Sequence, residues 1–236
     1  MRVWQIDQLQ TFQLTKGDQT LFHATSILAG ELGFECCAFS IHAPLPASEP
    51  TTAVVTNYPK TWQLTYQQNN YFVIDPTVQH GLRSQKMLVW SDEVFAETPD
   101  FWEAAQGAGL RVGLALPARG THGVIGMLSL ARSAQAISSV ELKDKQFKLA
   151  WLSQIANLGM SQYFLPKLMC AAEIKLTGRE ISALRWIAEG KTSGDIADIL
   201  RITERTVNFH INNAVSKLGT TNRTAAAVQA ALLGLL

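Results

Sequence analysis

Cysteine is scarce in this chain: Cys36, Cys37 and Cys170 are an odd set among 236 residues, without metal-ligand spacing. That excludes a disulfide framework and implies a reducing compartment, with the adjacent pair reading as small apolar strand residues. His23, His42, His80, His122 and His210 also lack metal spacing, and no nucleophile elbow is present, so neither metal nor catalytic chemistry is expected. No apolar run is long enough to span a bilayer. Met1 to Gln10 mixes charged with apolar residues, unlike a signal peptide, so the expected location is the cytoplasm. There is no internal repeat and no low-complexity segment. Charge is sparse too, at 17% of residues with a net value of +1, which would not announce a nucleic-acid binder. The length permits two domains, one larger and one small.

The most informative stretch is Leu176 to Gly219. Thr177 and Glu180 have capping-box spacing, in which hydroxyl and carboxylate satisfy two orphan backbone donors. The helix they open can bury Ile181, Leu184 and Ile187, and Gly190 supplies the left-handed residue that ends it. Thr192 starts a second helix, with Ile196, Ile199 and Leu200 inward, and Thr203 caps a third. On that third helix Val207, Ile211, Ala214, Val215 and Leu218 form an apolar stripe, while Arg205, Asn208, Phe209 and Asn212 cluster away from it. Such a front suits a major groove, where Asn can pair with adenine and Arg with guanine. By periodicity alone, an ordinary small helical unit with a solvated polar face fits equally well.

The order LTxRE, AxGKT, IA, TVxxHxxxxxxKL and NR resembles the helix-turn-helix domain of LuxR-type transcription regulators almost position for position, over roughly the last quarter of the chain. Phosphorylated response regulators carry the same module, so the resemblance names the output and not the input. It implies base-edge contacts from Asn208, Phe209 and Asn212, with Arg205, Lys191, Thr192 and Lys217 nearer the phosphates. From Ile174 onward eight Lys and Arg face five Asp and Glu, a local excess of +3 that leaves −2 for the preceding 173 residues. So small an excess predicts weak phosphate binding by one copy and a need for two.

Asp18 to Leu32 reads as an amphipathic helix with Leu21, Phe22, Thr25, Leu28 and Leu32 on one side. Phe34 to Ile41 and Ala53 to Tyr58 are strand-like and joined by the proline-rich 43–50; Leu110 to Pro117 and Val124 to Ala131 flank the turn 119–123. Met87 to Trp90 supplies a fifth strand. Short helices follow Pro59, Pro76 and Pro99, each proline suiting a first helical position. Locally paired strands with helices around them predict an α+β protein: an α/β/α sandwich around a five-stranded antiparallel sheet, followed by a four-helix helix-turn-helix domain. A phosphoacceptor receiver is disfavoured, because the first strand ends in Ile41-His42-Ala43 without an acidic cluster. Ser138 and Glu141 open a long helix to about Leu165, stopped by Pro166, with Leu142, Leu149, Leu152, Ile155 and Leu158 as its apolar side. Its other apolar and small residues, Trp151, Ala156 and Met160, either close the sheet domain or meet a second subunit. The expected divisions are 1–165, a linker 166–175, and 176–236.

Tyr58, Trp62 and Tyr66, spaced by four, share one helical face as an aromatic wall, and a wall of this kind is more often core than binding site. Asp75 has an independent reading as an N-cap. Together with Pro76, Trp90 and Gly113, however, Trp62, Tyr66 and Asp75 resemble the N-acyl-homoserine-lactone pocket of the quorum-sensing LuxR branch, which extends the resemblance over nearly the whole chain. The ligand's amide N–H, carbonyls and apolar tail each need a partner in a buried site. By that resemblance Asp75 accepts from the amide, Trp62 donates to the lactone carbonyl, and Tyr58 with Ser129 donates to the acyl carbonyl. Tyr66, Trp90, Phe101 and Trp102 pack on the ring and first tail carbons, and Gly113 leaves room for them. The implied partners are an N-acyl-homoserine lactone, a palindromic promoter site, a second copy of the chain and RNA polymerase, with no cofactor. Two readings stand against this one: a ligand-independent or partner-binding first domain, and, more remotely, an enzyme.

Overall fold

The computed structural model describes residues 18–43, 51–120, 123–168 and 175–236. The proline-rich connection, residues 169–174 of the expected linker with Cys170 among them, and His122 lie outside the described residues. By compactness the chain divides into two units, residues 18–43, 51–120 and 124–168 in the first and 175–236 in the second.

The first unit is built on α1 (Asp18–Glu31), β1 (Cys36–Ala43), β2 (Thr51–Thr56), α2 (Lys60–Gln68), a 3-10 turn (Tyr71–Val73), α3 (Pro76–Arg83), β3 (Leu88–Val89), α4 (Pro99–Gly107), β4 (Val112–Arg119), β5 (Ile125–Arg132) and α5 (Ser139–Leu168). The five strands form one antiparallel sheet, as expected, and their order is β2-β1-β5-β4-β3. Alternation along the strands sends side chains to opposite faces. Cys37, Phe39 and Ile41, with Leu128 and Leu130, are buried on the side of α1 and α5, whereas Ala38, Ser40, Met127 and Ser129 line a cavity on the other. Leu21, Phe22, Thr25, Leu28 and Leu32 are all buried, and Gly33 follows with φ +85°. Cys37 lies 3.3 Å from the Ser26 hydroxyl, and burial pushes its thiol up to about 11, which suits an inert packing residue.

Two expectations for α5 are corrected. The helix passes Pro166 and ends at Leu168, since a proline biases a boundary without dictating it. Its buried face also runs differently. Leu149, Leu152, Ala156 and Met160 are buried together, following steps of three and four, while Leu158 is 60% exposed. Ala156 and Met160 therefore pack into their own unit and are not available to a partner. Ser138 caps the helix by accepting from the Glu141 backbone. The Glu141 carboxylate instead takes a bidentate contact from Arg132, at 2.8 and 2.9 Å, and a third bond from Lys145. Arg132 and Lys145 also donate to the carbonyls of Gly33 and Leu32 at the end of α1, so one cluster joins β5, α1 and α5.

The second unit comprises α6 (Gly178–Ala188), α7 (Ser193–Leu200), α8 (Glu204–Leu218) and α9 (Arg223–Leu232). The Thr177–Glu180 capping box is complete, Thr192 forms another with Asp195, and Thr203 caps α8. Gly190 adopts φ +82°, the left-handed residue expected after α6. The core gathers Leu184, Ala214, Leu218 and Ala226 at one end and Ala183, Ile196, Val207 and Ile211 at the other. Ile199 was expected inward but is 43% exposed, because the buried face of α7 runs through Ser193, Ile196 and Ala197 and leaves Ile199 on the opposite side.

Candidate functional site

The first unit holds a cavity of about 550 Å³ between the sheet and its small helices, within the size range of small-molecule sites. Eight of the nine residues singled out from the sequence line it: Tyr58, Trp62, Tyr66, Asp75, Trp90, Phe101, Trp102 and Ser129. Proline placement sets much of this geometry. Pro76 and Pro99 sit in the first turns of α3 and α4, whereas Pro59 is the N-cap of α2, leaving Tyr58 just before that helix. The rings then interlock. Trp62 lies 5.8 Å from Tyr66 and 5.6 Å from Phe101, and Phe95 stacks on Trp102 at 4.3 Å. Trp102 is further tied by its indole N–H to Asp92 at 2.7 Å.

Gly113 is corrected in its role. It does not line the cavity; a Cβ there would meet a ring carbon of Trp90 at 2.5 Å and the Leu130 carbonyl oxygen at 2.7 Å. Gly113 therefore leaves room for the Trp90 ring itself, and it also accepts the Trp90 backbone N–H at 2.9 Å. The sequence reading missed Phe95 and Thr77. Phe95 lies between β3 and α4 where no periodicity marks it, although the adjacent Thr98-Pro99 start of α4 was legible.

Asp75 is the only charged residue among those lining the cavity. Its Oδ1 accepts from the Thr77 backbone N–H at 2.8 Å and hydroxyl at 2.7 Å, fulfilling the N-cap expectation, and its Oδ2 accepts from Tyr66 at 3.0 Å. Burial holds its carboxyl above the usual carboxylate range despite these bonds. Burial pushes both phenols up too, with Asp75 adding to the effect, so Tyr58 and Tyr66 remain neutral donors. The Tyr58 hydroxyl and the Trp90 indole N–H are buried without a hydrogen-bond partner among the described residues. An apolar cavity with a carboxylate acceptor and two unpartnered polar atoms can take an amphipathic molecule that offers an N–H, an acceptor oxygen and an apolar part.

In the second unit Arg205, Phe209 and Asn212 are exposed on one side of α8, Phe209 at 61%, opposite Val207, Ile211 and Ala214. Lys191 is exposed at the start of α7, and the Thr192 hydroxyl is taken up by the Asp195 capping box. Asn208 is half-buried and bonded to Ser193 and Arg223. Lys217 was expected near phosphates, but its ammonium reaches both oxygens of buried Glu180, at 2.8 and 2.9 Å. It holds α6 to α8. Among the described residues no cluster of metal ligands occurs, and no helix is long and apolar enough to cross a membrane.

Comparison with known proteins agrees with both halves. Residues 18–160 match the autoinducer binding domain and residues 175–230 match the bacterial regulatory proteins of the luxR family. The chain is 42% identical to the transcriptional activator protein AnoR of Acinetobacter nosocomialis over the full length of both. It is 40% identical to the quorum-sensing regulator RhlR of Pseudomonas aeruginosa, over 87% of this chain and 85% of that one. Its fold superposes with TM-score 0.84 on Escherichia coli SdiA in complex with octanoyl-rac-glycerol, at 34% identity over 99% and 95% of the two chains. These relatives are transcription regulators, not enzymes. The chain belongs to the luxR family of quorum-sensing transcription regulators, joining an autoinducer-binding domain for a small-molecule ligand to a helix-turn-helix domain for DNA.

Proposed function

We propose that the autoinducer is an N-acyl-homoserine lactone and that it controls a homodimer on a palindromic promoter site in the cytoplasm. The carrying observation is the buried Asp75 carboxylate facing an apolar cavity that also holds the unpartnered Tyr58 hydroxyl and Trp90 indole N–H. Asp75 accepts the ligand amide N–H in a charge-assisted bond, Tyr58 and Ser129 donate to the acyl carbonyl, and Trp62 donates to the lactone carbonyl. Tyr66, Phe101 and Trp102 enclose the ring and first tail carbons. Satisfying buried polar atoms stabilises the folded sensor by mass action. Residues 1–165 act as sensor, 166–175 as linker and 176–236 as DNA-binding domain, with α5 extending three residues beyond the first division.

Dimerisation is supported by α5. Val140, Phe147, Trp151 and Leu158 are separated by 7, 4 and 7 residues, which at about 100° per residue brings them within about 20° of one line. Val140, Phe147 and Leu158 are 75%, 66% and 60% exposed, an apolar stripe that a second copy would cover. Two α8 helices related by a two-fold axis then meet half-sites about one helical turn apart, with RNA polymerase as a further partner at the promoter.

A second reading of the ligand is favoured by the SdiA complex, whose octanoyl-rac-glycerol carries an acyl chain on a hydroxylated head. Protein purified from a lactone-producing host and from a non-producing host would be extracted and the extracts compared by mass spectrometry. An acyl-homoserine lactone co-purifying in the first case supports the proposal. A monoacylglycerol in both would favour the second reading, and empty extracts with unchanged operator binding would favour a ligand-independent sensor.

A further inference from the structure

The side chain of Asn208 lies on α8 between two other helices. Its Oδ1 accepts from the Ser193 hydroxyl, the first residue of α7, at 2.8 Å, and from Arg223 Nη2, the first residue of α9, at 3.2 Å. Arg223 Nη1 in turn donates to the Ser193 hydroxyl at 3.0 Å. A guanidinium has donors only, so the amide atom that faces it must be the oxygen; the flipped amide would set donor against donor. Two donors saturate the two lone pairs of that oxygen. Ser193 is 5% exposed, which anchors the arrangement in the packed part of the unit.

We infer that Arg223 is a positioning residue which, through Ser193 and Asn208 Oδ1, makes Asn208 a donor-only contact to DNA. This rests on reading α8 as the DNA-facing helix. The usual bidentate recognition of adenine by Asn needs the amide oxygen to accept from N6 while the nitrogen donates to N7. Asn208 has no oxygen left for it. Its Nδ2 can serve only an acceptor: a phosphate oxygen, or N7, O6 or O4 on a base edge. Bidentate adenine reading then falls to Asn212, which is exposed on the same helix one turn further on. The sequence alone hides this, because Asn208 and Asn212 look equivalent by type, and the partners of Asn208 lie 15 positions away on either side.

The test is a double-mutant cycle on the full chain, purified from a lactone-producing host and bound to an operator duplex recovered by selection from a random pool. Asn208→Ala and Arg223→Met should each weaken binding by about fivefold, the size of one lost hydrogen bond. The double variant should bind no more weakly than Asn208→Ala alone, because Arg223 acts through that side chain. Arg223→Met should leave the slope of log affinity against log salt unchanged. Additive losses, or a slope reduced by about one, would mean that Arg223 meets a phosphate itself and would overturn the inference. Ser193→Ala, which removes one donor without touching a charge, should reproduce part of the loss, and melting curves confirm folding of every variant. A scan of operator base pairs separates the acceptors: a loss uniform across sequences identifies a phosphate oxygen, and a loss confined to one base pair identifies a base edge. Asn212→Ala, run alongside, separates the two claims. If it weakens binding while Asn208→Ala does not, the inference fails and the DNA-facing helix stands; if both are silent, both fail.

Discussion

Tyr66 donates its hydroxyl proton to Asp75 Oδ2 across 3.0 Å, so the carboxylate of the sensor cavity already has a neutral protein donor on that oxygen. With Thr77 holding Oδ1, the orientation of the carboxylate is fixed and a further lone pair of Oδ2 is the one open to a ligand N–H. Asp75→Asn keeps the size but turns a donor toward Tyr66 and toward the ligand amide. The lactone concentration for half-maximal reporter response should rise by about one to two orders of magnitude, as for a lost charge-assisted bond. Tyr66→Phe leaves the acceptor intact and should shift the same curve by about fivefold or less. Equal shifts for the two variants would contradict this division of roles.

Gly113→Ala should damage the sensor through Trp90. The added methyl group has the indole ring on one side and the Leu130 backbone on the other, and only the ring can move. Overpacking of this kind costs about 1–3 kcal/mol. The expected result is a lower melting temperature and weaker ligand binding in the same protein, because Trp90 also lines the cavity. Trp90→Leu in the Gly113→Ala background should recover stability and not ligand affinity, which differential scanning fluorimetry with and without ligand would show.

The contrast between Gly113 and Asp75 indicates what was legible in the sequence. Asp75 carries one signal locally, since a carboxylate before Pro76 is an N-cap by chemistry, whereas its place in a site followed only from the family resemblance. Gly113 could be marked as a close approach, but what approaches it depends on the pairing of β3 with β4, which no local pattern encodes. The five strands and the capped helices were readable because alternation, turn residues and caps are short-range. The phase of α5 was not, since its face is chosen by contact with a distant sheet, and Leu158 differs from Leu152 in nothing a sequence displays. Lys217 was likewise read by its charge and its helix, while its partner Glu180 lies 37 positions earlier.

Glu141 should make the sensor acid-sensitive in a defined range. Hydrogen bonds from Arg132 and Lys145, the Arg132 bonds foremost, pull its carboxyl from 4.5 down to about 2. A carboxylate depressed in the folded state contributes stability that is complete above 4.5 and is lost as pH falls from 4.5 through about 2. Glu141→Gln should lower the melting temperature at pH 7, by about 5–10 °C if on the order of 3 kcal/mol is lost on leaving Arg132 without its anion. The variant should also flatten the stability profile across that acid range. A parallel downward offset with an unchanged slope would assign the acid sensitivity to other groups.

Lys217→Met is expected to act on folding of the DNA-binding unit before it acts on DNA. The Glu180 side chain is 3% exposed and closes the Thr177 capping box, so removing the ammonium leaves a buried carboxylate with only backbone help. Because Lys217 is itself partly solvated, the expected cost is about 1–2 kcal/mol, less than for a fully buried pair. Chemical denaturation of the full chain, followed at the transition of this unit, should show it. Glu180→Gln together with Lys217→Met should be milder than Lys217→Met alone, and operator affinity at a temperature where both are folded should change little. A large affinity loss in the folded protein, with the salt slope reduced by about one, would return Lys217 to the phosphates.

The exposed stripe on α5 bears on oligomeric state. Phe147 and Leu158 lie three turns apart on one line of the helix, exposed, with half-buried Trp151 between them. If a second copy covers them, each is removed from water on dimerisation, at about 1.5–3 kcal/mol per side chain, and each change is made twice across a two-fold interface. Phe147→Glu and Leu158→Glu should therefore both shift the full-length protein from dimer to monomer in sedimentation velocity, each by at least a hundredfold in dissociation constant. Neither position belongs to the sheet core, so the melting of the sensor unit should fall only as far as dimer linkage requires, converging with the wild type at low protein concentration. Val140→Glu, at the end of the stripe, should do less than Phe147→Glu if the contact is centred on Trp151. Operator binding should fall in step with dimer content and recover at high protein concentration. A dimer unmoved by both central charges would place the interface on another surface and leave this stripe as solvated apolar area.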